Sequence, residues 1–243
     1  MKLSNILLAA AIVIGVVFLS GLGTWQLKRL AWKEALIARV ENNLSGPSVT
    51  LAEIEALQRS GADFEYRPIR VTGTFDHSRE QHFFATHKGN PGYYVYTPAQ
   101  LADGRMLFIN RGYVPLERKA VNGREQGQVA GAVTVTGLAR SAPPAKPNSF
   151  VPDNDLVKNL YHWKSLDQMT ANAFPDGGVD VVPLFVDANE AANPGGLPVG
   201  GVTLISFPNS HLQYAITWFG LAATLLGVGG YFLFGRLRQK SSL

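Results

Sequence analysis

Residues 214–234 read YAITWFGLAATLLGVGGYFLF, and the basic residues Arg236, Arg238 and Lys240 follow directly. No lysine or arginine lies between Lys164 and Arg236. An apolar run of about 20 residues is long enough to cross a bilayer as a helix, and basic residues at one end favour the cytoplasmic side. We therefore predict a membrane-spanning helix whose C-terminal end is cytoplasmic.

A second apolar run lies near the other end of the chain, from Ile6 to Leu19 and on through Leu22, preceded by Lys2. Two crossings with a cytoplasmic C-terminus place both termini in the cytoplasm and the intervening segment on the opposite face. In a bacterial inner membrane that segment is periplasmic. The predicted division is a first span at 1–27, an extracytoplasmic domain at 28–208, a second span at 209–235 and a basic tail at 236–243.

The first apolar run has a rival interpretation as a cleaved signal peptide, because Gly21-Leu22-Gly23 offers small residues for cleavage. The sequence from Thr24 to Glu41 contains no glycine or proline and favours continued helix, with Trp25 and Trp32 near the membrane boundary. We therefore predict an uncleaved helix that projects beyond the bilayer.

The basic pI of about 9.3 does not indicate a nucleic-acid-binding protein. Four of the 22 basic residues lie at the predicted cytoplasmic ends, and the remaining 18 equal the acidic residues in number. The excess charge therefore reports membrane orientation, and no nucleic-acid partner is expected. The chain has no cysteine, so its fold cannot rely on a disulfide.

The middle segment has the alternating pattern of half-buried strands, interrupted by short helices. Thr50 and Glu53 form a capping-box pattern before a helix to about Arg59, and Ser165 opens a brief helix to Ala173. Asp103-Gly104 indicates a hairpin. The fold class is a membrane α+β protein with a mainly antiparallel, partly barrel-like domain. Its predicted strands are 69–75, 81–86, 93–97, 106–110, 133–138, 179–186 and 202–207.

The usual enzyme signatures are absent from the sequence. There is no Gly-x-Ser-x-Gly elbow, no His-Glu-x-x-His motif and no phosphate-binding glycine loop. His77, His82 and His87 are evenly spaced but match no common metal pattern, which favours ordinary histidines at the edge of the core. We expect a protein that is not an enzyme.

His211 lies at the outer mouth of the second span, where Tyr214, Ala215 and Trp218 share its helical face. Such residues commonly anchor a helix at the lipid headgroups, and a neutral imidazole there can also bind haem iron. The residues alone leave both roles open.

Small residues recur in the second span at Gly220, Thr224 and Gly227. This pattern allows close approach of another helix, either the first span at Gly15 or a partner's helix.

Four ordered groups of residues are similar to the surfeit locus protein 1 family, and they extend from the first span to the second. The resemblance implies an assembly factor for haem-copper oxidases, chiefly cytochrome c oxidase, that promotes delivery or insertion of haem a into the catalytic subunit. Haem a synthase is a second implied partner. The groups are Trp25-Gln-Leu-Lys-Arg; Tyr66-Arg-Pro-Ile-Arg-Val-Thr-Gly-Thr-Phe; Tyr96-Thr-Pro with Asp103-Gly-Arg and Asn110-Arg-Gly-Tyr-Val-Pro; and Asn209-Ser-His-Leu-Gln-Tyr-Ala-Ile-Thr-Trp-Phe.

In bacterial members of this family, a histidine matching His211 is the proposed haem ligand. Together with the resemblance, this suggests a site in which His211 binds iron, Tyr214 and Trp218 line an apolar slot, and Lys28 or Arg29 meets the propionates. The competing hypothesis is a membrane-tethered adaptor or sensor that binds a protein partner without haem. Arg67 and Arg111 could bind carboxylates or satisfy turn carbonyls.

Overall fold

The computed structural model describes residues 3–238, without the side chain of Leu237, so Lys2 and Lys240 of the predicted basic flanks lie outside it. Within this range, residues 3–39 and 206–238 form one compact unit, and Val40–Ile205 form the other. The elements are α1 (Leu3–Leu44), α2 (Leu51–Arg59), β1 (Pro68–Phe75), β2 (Gln81–His87), β3 (Asn90–Leu101), β4 (Met106–Pro115), β5 (Ala132–Ser141), α3 (Leu166–Ala173), β6 (Val181–Ala188) and α4 (His211–Arg238).

Helices α1 and α4 are both long and apolar enough to cross a membrane. Helix α1 continues through the predicted boundary at residues 27/28, which confirms the helix expected after Gly23. The absence of glycine and proline over this stretch explains why the helix does not break at the end of the apolar run.

The two long helices run antiparallel, with glycines at their closest contacts. A Cβ added to Gly23 would lie 2.7 Å from the Phe219 ring, so only a bare backbone admits this ring. Residues further along α1 contact residues nearer the start of α4, so the two helices are antiparallel. The contacts are Ile12 with Gly229, Gly15 with Leu225, and Gly23 with Phe219.

Gly15 therefore receives α4, as predicted, but the partner surface is different. No described atom lies within 4 Å of a Cβ built at Gly220 or Gly227, and Thr224 is exposed. Of the two alternatives for these three small residues, packing against the first span is wrong, because α4 presents Phe219, Leu225 and Gly229 to α1 instead. Packing against a partner's helix stays a prediction.

The second unit is a mostly antiparallel sheet in the order β1-β5-β6-β4-β3-β2, with an additional pairing of β1 with β3. This pairing closes a ring of five strands and leaves β2 outside it. Among the described strand pairs, only β4 with β6 is parallel. The prediction of a mainly antiparallel, partly barrel-like domain with short helices is confirmed.

Gly73 lies where β1 passes from one neighbour to the other. It is opposite Val133 of β5 and Leu101 of β3, and a Cβ there would lie 2.8 Å from the carbonyl oxygen of Gln100. The close backbone approach needed for ring closure is therefore compatible only with glycine at this position.

The two short helices begin where their caps predict. Thr50 accepts the Glu53 amide, and the Glu53 carboxylate accepts the Thr50 amide at 2.7 Å, which completes the capping box of α2. Ser165 accepts the Gln168 amide at the start of α3. These bonds satisfy amides that the helices themselves leave unpaired.

The predicted strand at Val202–Phe207 is wrong, because this segment has no strand pairing in the structure. Strand β6, the last strand before it, already pairs with β4 on one edge and β5 on the other. The closed ring leaves no free edge there, so an apolar β-branched run cannot join it. The other predicted strands form, with β3 and β4 longer than expected.

Candidate functional site

His211 and Gln26 form a hydrogen-bonded pair between α4 and α1. The distance from His211 Nδ1 to Gln26 Oε1 is 2.7 Å, and Gln26 is 9% exposed. An amide oxygen can only accept, so Nδ1 of the neutral ring carries the proton and Nε2 keeps its lone pair. No residue between 3 and 238 bonds to Nε2, so this nitrogen is the one that can bind a further group.

The pair lies where the apolar part of α1 gives way to charged residues. Lys28, two residues after Gln26, is the first charged residue of α1 within the described chain. His211 is the first residue of α4, and its backbone amide donates to Asn209 Oδ1 at 3.4 Å. The imidazole is therefore held at the polar end of two apolar helices.

Aromatic side chains on α4 follow His211 at helical spacing. Tyr214 is 53% exposed and Trp218 is partly buried, whereas Ala215, one turn beyond His211, is 1% exposed. The predicted face therefore divides into an inner part towards α1 and an outer part. Trp218 lies nearer the inner part, and Tyr214 lies on the outer part.

Of the two cations predicted for the site, Lys28 and Arg29, only Arg29 lies on the side of α1 near Gln26. Lys28 is exposed, and at 3.6 residues per turn it lies about 200° around α1 from Gln26. Arg29 lies about 60° from Gln26. Its guanidinium is 5.8 Å from the Trp25 ring centroid and 5.4 Å from that of Trp32. The structure does not bring Lys28 to the face that carries the His211 pair.

Two residues of this face carried no assigned role in the sequence analysis. Gln26 belongs to the Trp25-Gln-Leu-Lys-Arg group, and the sequence signal for its pairing with His211 is its position as an uncharged polar residue just before the first charges of α1. Lys33 lies seven residues later, about 20° around the helix and about 10 Å along it. Its Nζ lies 5.3 Å from the Phe207 ring centroid. Lys33 is therefore the lysine of α1 that shares the face of Gln26.

The second unit contains a buried charged cluster around Glu80. The carboxylate pairs with Arg124 through both oxygens and lies 3.6 Å from Arg111 and from His77 Nδ1. Burial by itself raises the pKa of Glu80, but hydrogen bonds from His77 and Arg124 and the charge of Arg124 outweigh it and lower the pKa to about 2. Burial lowers the pKa of His82 to about 4, although the nearby Glu80 opposes this effect.

This cluster decides between the two roles considered for Arg111. The residue is 3% exposed, and its guanidinium donates to the Gly127 carbonyl and to Asn193 Oδ1. It also stacks over the Phe75 ring at 4.9 Å. Its donors are occupied inside the domain, so Arg111 is a structural residue. Arg67 is not part of this cluster.

The three evenly spaced histidines do not converge on one point. His77 and His82 both approach Glu80, but the His87 ring lies 5.2 Å from that of Tyr113. No set of three histidine, aspartate or glutamate side chains within residues 3–238 is arranged to hold a metal ion. All three histidines belong to the interior and edge of the β-domain, away from α1 and α4 in the sequence.

Helices α1 and α4 are each suited to crossing a membrane, and Gln26 and His211 form a pair between them. With a β-domain in the intervening chain, this architecture is consistent with a two-span membrane protein. The SURF1 family model matches residues 13–223. The chain therefore belongs to the SURF1 family.

Individual relatives agree with this assignment. The chain is 37% identical over 221 residues to surfeit locus protein 1 of Rattus norvegicus, covering 84% of this chain and 68% of the relative. It is 36% identical to surfeit locus protein 1 of Homo sapiens, with 84% and 70% covered. A SURF1-like protein of Monosiga brevicollis is 37% identical, with 86% and 80% covered.

Proposed function

We propose that this protein is an assembly factor for cytochrome c oxidase that promotes delivery or insertion of haem a into the catalytic subunit. The SURF1 family is known for cytochrome oxidase assembly factors, which supports the general role. The specific proposal of haem a rests on the chemistry available at His211. In this proposal the protein resides in a bacterial inner membrane and works with the catalytic subunit and haem a synthase.

The observation that carries the haem proposal is the state of the His211 ring. A histidine that binds iron uses one neutral ring nitrogen and donates the proton on the other to a nearby acceptor. Gln26 supplies this acceptor at 2.7 Å, and Nε2 has no partner among the described residues. The residues present therefore fit a haem ligand, and His211 would hold the iron through Nε2.

Other residues near the pair supply what an amphiphilic ligand needs. Trp218 and Tyr214 provide aromatic surface along the helix from His211. Arg29 and Lys33 are the cations proposed for the propionates on the side of Gln26, whereas Lys28, also proposed from the sequence, lies on another face of α1. When bound, haem supplies a redox-active iron, whereas this chain's residues bind it and hold it at the lipid boundary.

A carrier must release what it binds, and the residues of α4 suit this requirement. His211 is the only histidine between residues 163 and 243. A single histidine from this end of the chain would give one bond to iron, so only one ligand would need to be replaced on transfer to the catalytic subunit. Retention by a pair of histidines would oppose this transfer.

The haem proposal is tested by visible spectroscopy of the purified full chain. The protein is made in cells that synthesise haem a, alongside His211→Ala and the control His87→Ala, whose histidine lies in the β-domain. We expect a Soret band in the wild type and in His87→Ala, and its loss in His211→Ala. The absence of a Soret band from all three would instead favour an adaptor that binds a protein partner without haem.

The cellular role is tested in a deletion strain. We expect oxidase activity and haem a content of the catalytic subunit to fall while the subunit itself remains present. Both should be restored by the wild-type gene and by His87→Ala, but not by His211→Ala. Full activity in the deletion strain would refute the assembly role.

The proposed orientation has its own test. We expect a reporter that fluoresces only in the cytoplasm to be active when it is fused after Leu243. A reporter that is active only in the periplasm should be inactive at the same position. The opposite result would reverse the topology inferred from Arg236, Arg238 and Lys240.

A further inference from the structure

We propose that Gln26 is the positioning residue of the haem site, which fixes the tautomer and the orientation of His211 so that Nε2 faces the ligand. This inference rests on the proposed haem-binding function but concerns a residue that does not itself touch iron. It also extends the site from one helix to two.

The first argument is the direction of the hydrogen bond. Both ring nitrogens of a neutral histidine can carry the proton, and only one arrangement leaves Nε2 free to bind iron. The side-chain oxygen Oε1 of Gln26 lies 2.7 Å from Nδ1 and stabilises the proton on that nitrogen. Gln26 therefore selects the tautomer that a ligand at Nε2 requires.

The second argument is the cost of placing an amide at this position. Gln26 is only 9% exposed and lies between two apolar helices. A buried amide without a partner is unfavourable, and a leucine or methionine would avoid this cost in a helix that only needs to pack. The described partner of the Gln26 side chain is His211, so the amide is best explained by its effect on the imidazole.

The third argument is that the helix contacts set the position of the pair. Phe219 packs directly on Gly23, one turn from Gln26 along α1. The ordered contacts at Gly15 and Gly229 fix the same register further along. The amide of Gln26 is therefore delivered to His211 by a rigid helix pair, which is how a supporting group orients a metal ligand.

The neutral charge of the amide has a further consequence for binding strength. A carboxylate that accepts from Nδ1 makes the imidazole a more basic iron ligand, and an amide does so less strongly. Glutamine therefore orients the ligand without strengthening its bond to iron as far as glutamate would. This intermediate strength suits a protein that holds haem and then releases it.

The inference is tested first in the protein without haem. Nitrogen-15 NMR of histidine-labelled full-length protein in lipid nanodiscs distinguishes a protonated from an unprotonated ring nitrogen, and His211→Ala assigns the signals. We expect wild-type His211 to be protonated at Nδ1 and Gln26→Met to lose this preference. Gln213→Met, an exposed glutamine on α4, is the matched control and should leave the signals unchanged. An unchanged tautomer in Gln26→Met would overturn the proposal.

The second measurement uses haem a added to the same proteins. Loss of a supporting residue typically weakens metal binding by about 10–100-fold, so we expect this loss of affinity in Gln26→Met and none in Gln213→Met. Gln26→Glu should retain binding and lower the reduction potential of the bound haem. Equal affinity and potential in all Gln26 variants would overturn the positioning role.

The two proposals can fail separately. If wild-type protein binds no haem, the proposed function fails, and the tautomer measurement still decides whether Gln26 orients His211. If the wild type binds haem and His211→Ala does not, but Gln26→Met matches the wild type in both measurements, only the positioning role fails.

Discussion

Replacing Glu80 with glutamine should destabilise the β-domain strongly. Glu80 and its partners Arg111 and Arg124 have side chains only 1–2% exposed, so no solvent screens the charges left after the substitution. The glutamine keeps the shape of the side chain but removes the negative charge that compensates two arginines.

The magnitude can be worked out in two ways. Removing one partner of a buried ion pair typically costs about 3–5 kcal/mol. The pKa of Glu80, lowered from 4.5 to about 2, corresponds independently to about 3 kcal/mol of stabilisation at neutral pH. We therefore expect Glu80→Gln to lower the free energy of unfolding by about 3 kcal/mol, a large share of the stability of a typical domain.

The assay is pulse proteolysis of the full chain in detergent across a urea series, which measures the folded fraction of the β-domain. Glu117→Gln is the control, because Glu117 is exposed and should give an unchanged urea midpoint. If Glu80→Gln unfolds at the wild-type midpoint, the cluster does not stabilise the domain as reasoned here.

Three other outcomes follow from the structure. Urea midpoints should fall as the pH drops from 6.5 towards 4, because His82 takes up a proton in the unfolded state over this range but has a folded pKa of about 4. They should fall again from pH 4.5 towards 2, where protonation of Glu80 removes its stabilisation of the fold. A flat profile would contradict both effects. Gly23→Ala should separate α1 from α4 and reduce disulfide cross-linking between cysteines placed at Ile12 and Gly229, whereas Gly21→Ala, which meets no described atom within 4 Å, should not. Thr50→Ala should lower stability by about 1 kcal/mol in the same urea assay, and Thr50→Ser should preserve it.

The short helices and the main hairpin could be predicted because their signals are local. The capping pattern at Thr50 and the glycine turn at Asp103-Gly104 depend on bonds between residues a few positions apart. The long extension of α1 was likewise readable from an uninterrupted run of helix formers. These elements form where the sequence indicates.

The errors arose where the outcome depended on distant partners. Val202–Phe207 has the composition of a strand, but the strand edges next to it are already occupied by β4 and β5. Gly220 and Gly227 have the spacing of a packing surface, but α4 is rotated so that Phe219 and Leu225 meet α1. Composition cannot reveal which edge or face is already taken.

Of the two residues in the His211–Gln26 pair, the sequence singles out only His211. His211 could be found from its position at the mouth of an apolar run, and the family resemblance implied a haem-binding role for it, which stays a prediction. Gln26 lies 185 residues away in sequence, and only the antiparallel register of the two helices brings it to His211. The pairing could not be inferred from the apolar pattern, because that pattern fixes the span of a helix but not its rotation.

The separation of Gln26 and His211 has a consequence for biosynthesis. Gln26 leaves the ribosome before the β-domain, and His211 leaves it only after the entire β-domain. A nascent chain that lacks α4 can insert its first helix and fold strands, but it cannot offer an oriented imidazole. In the proposed haem site, an oriented ligand is therefore available only after the β-domain has been translated, so shorter nascent chains would not capture a reactive iron compound.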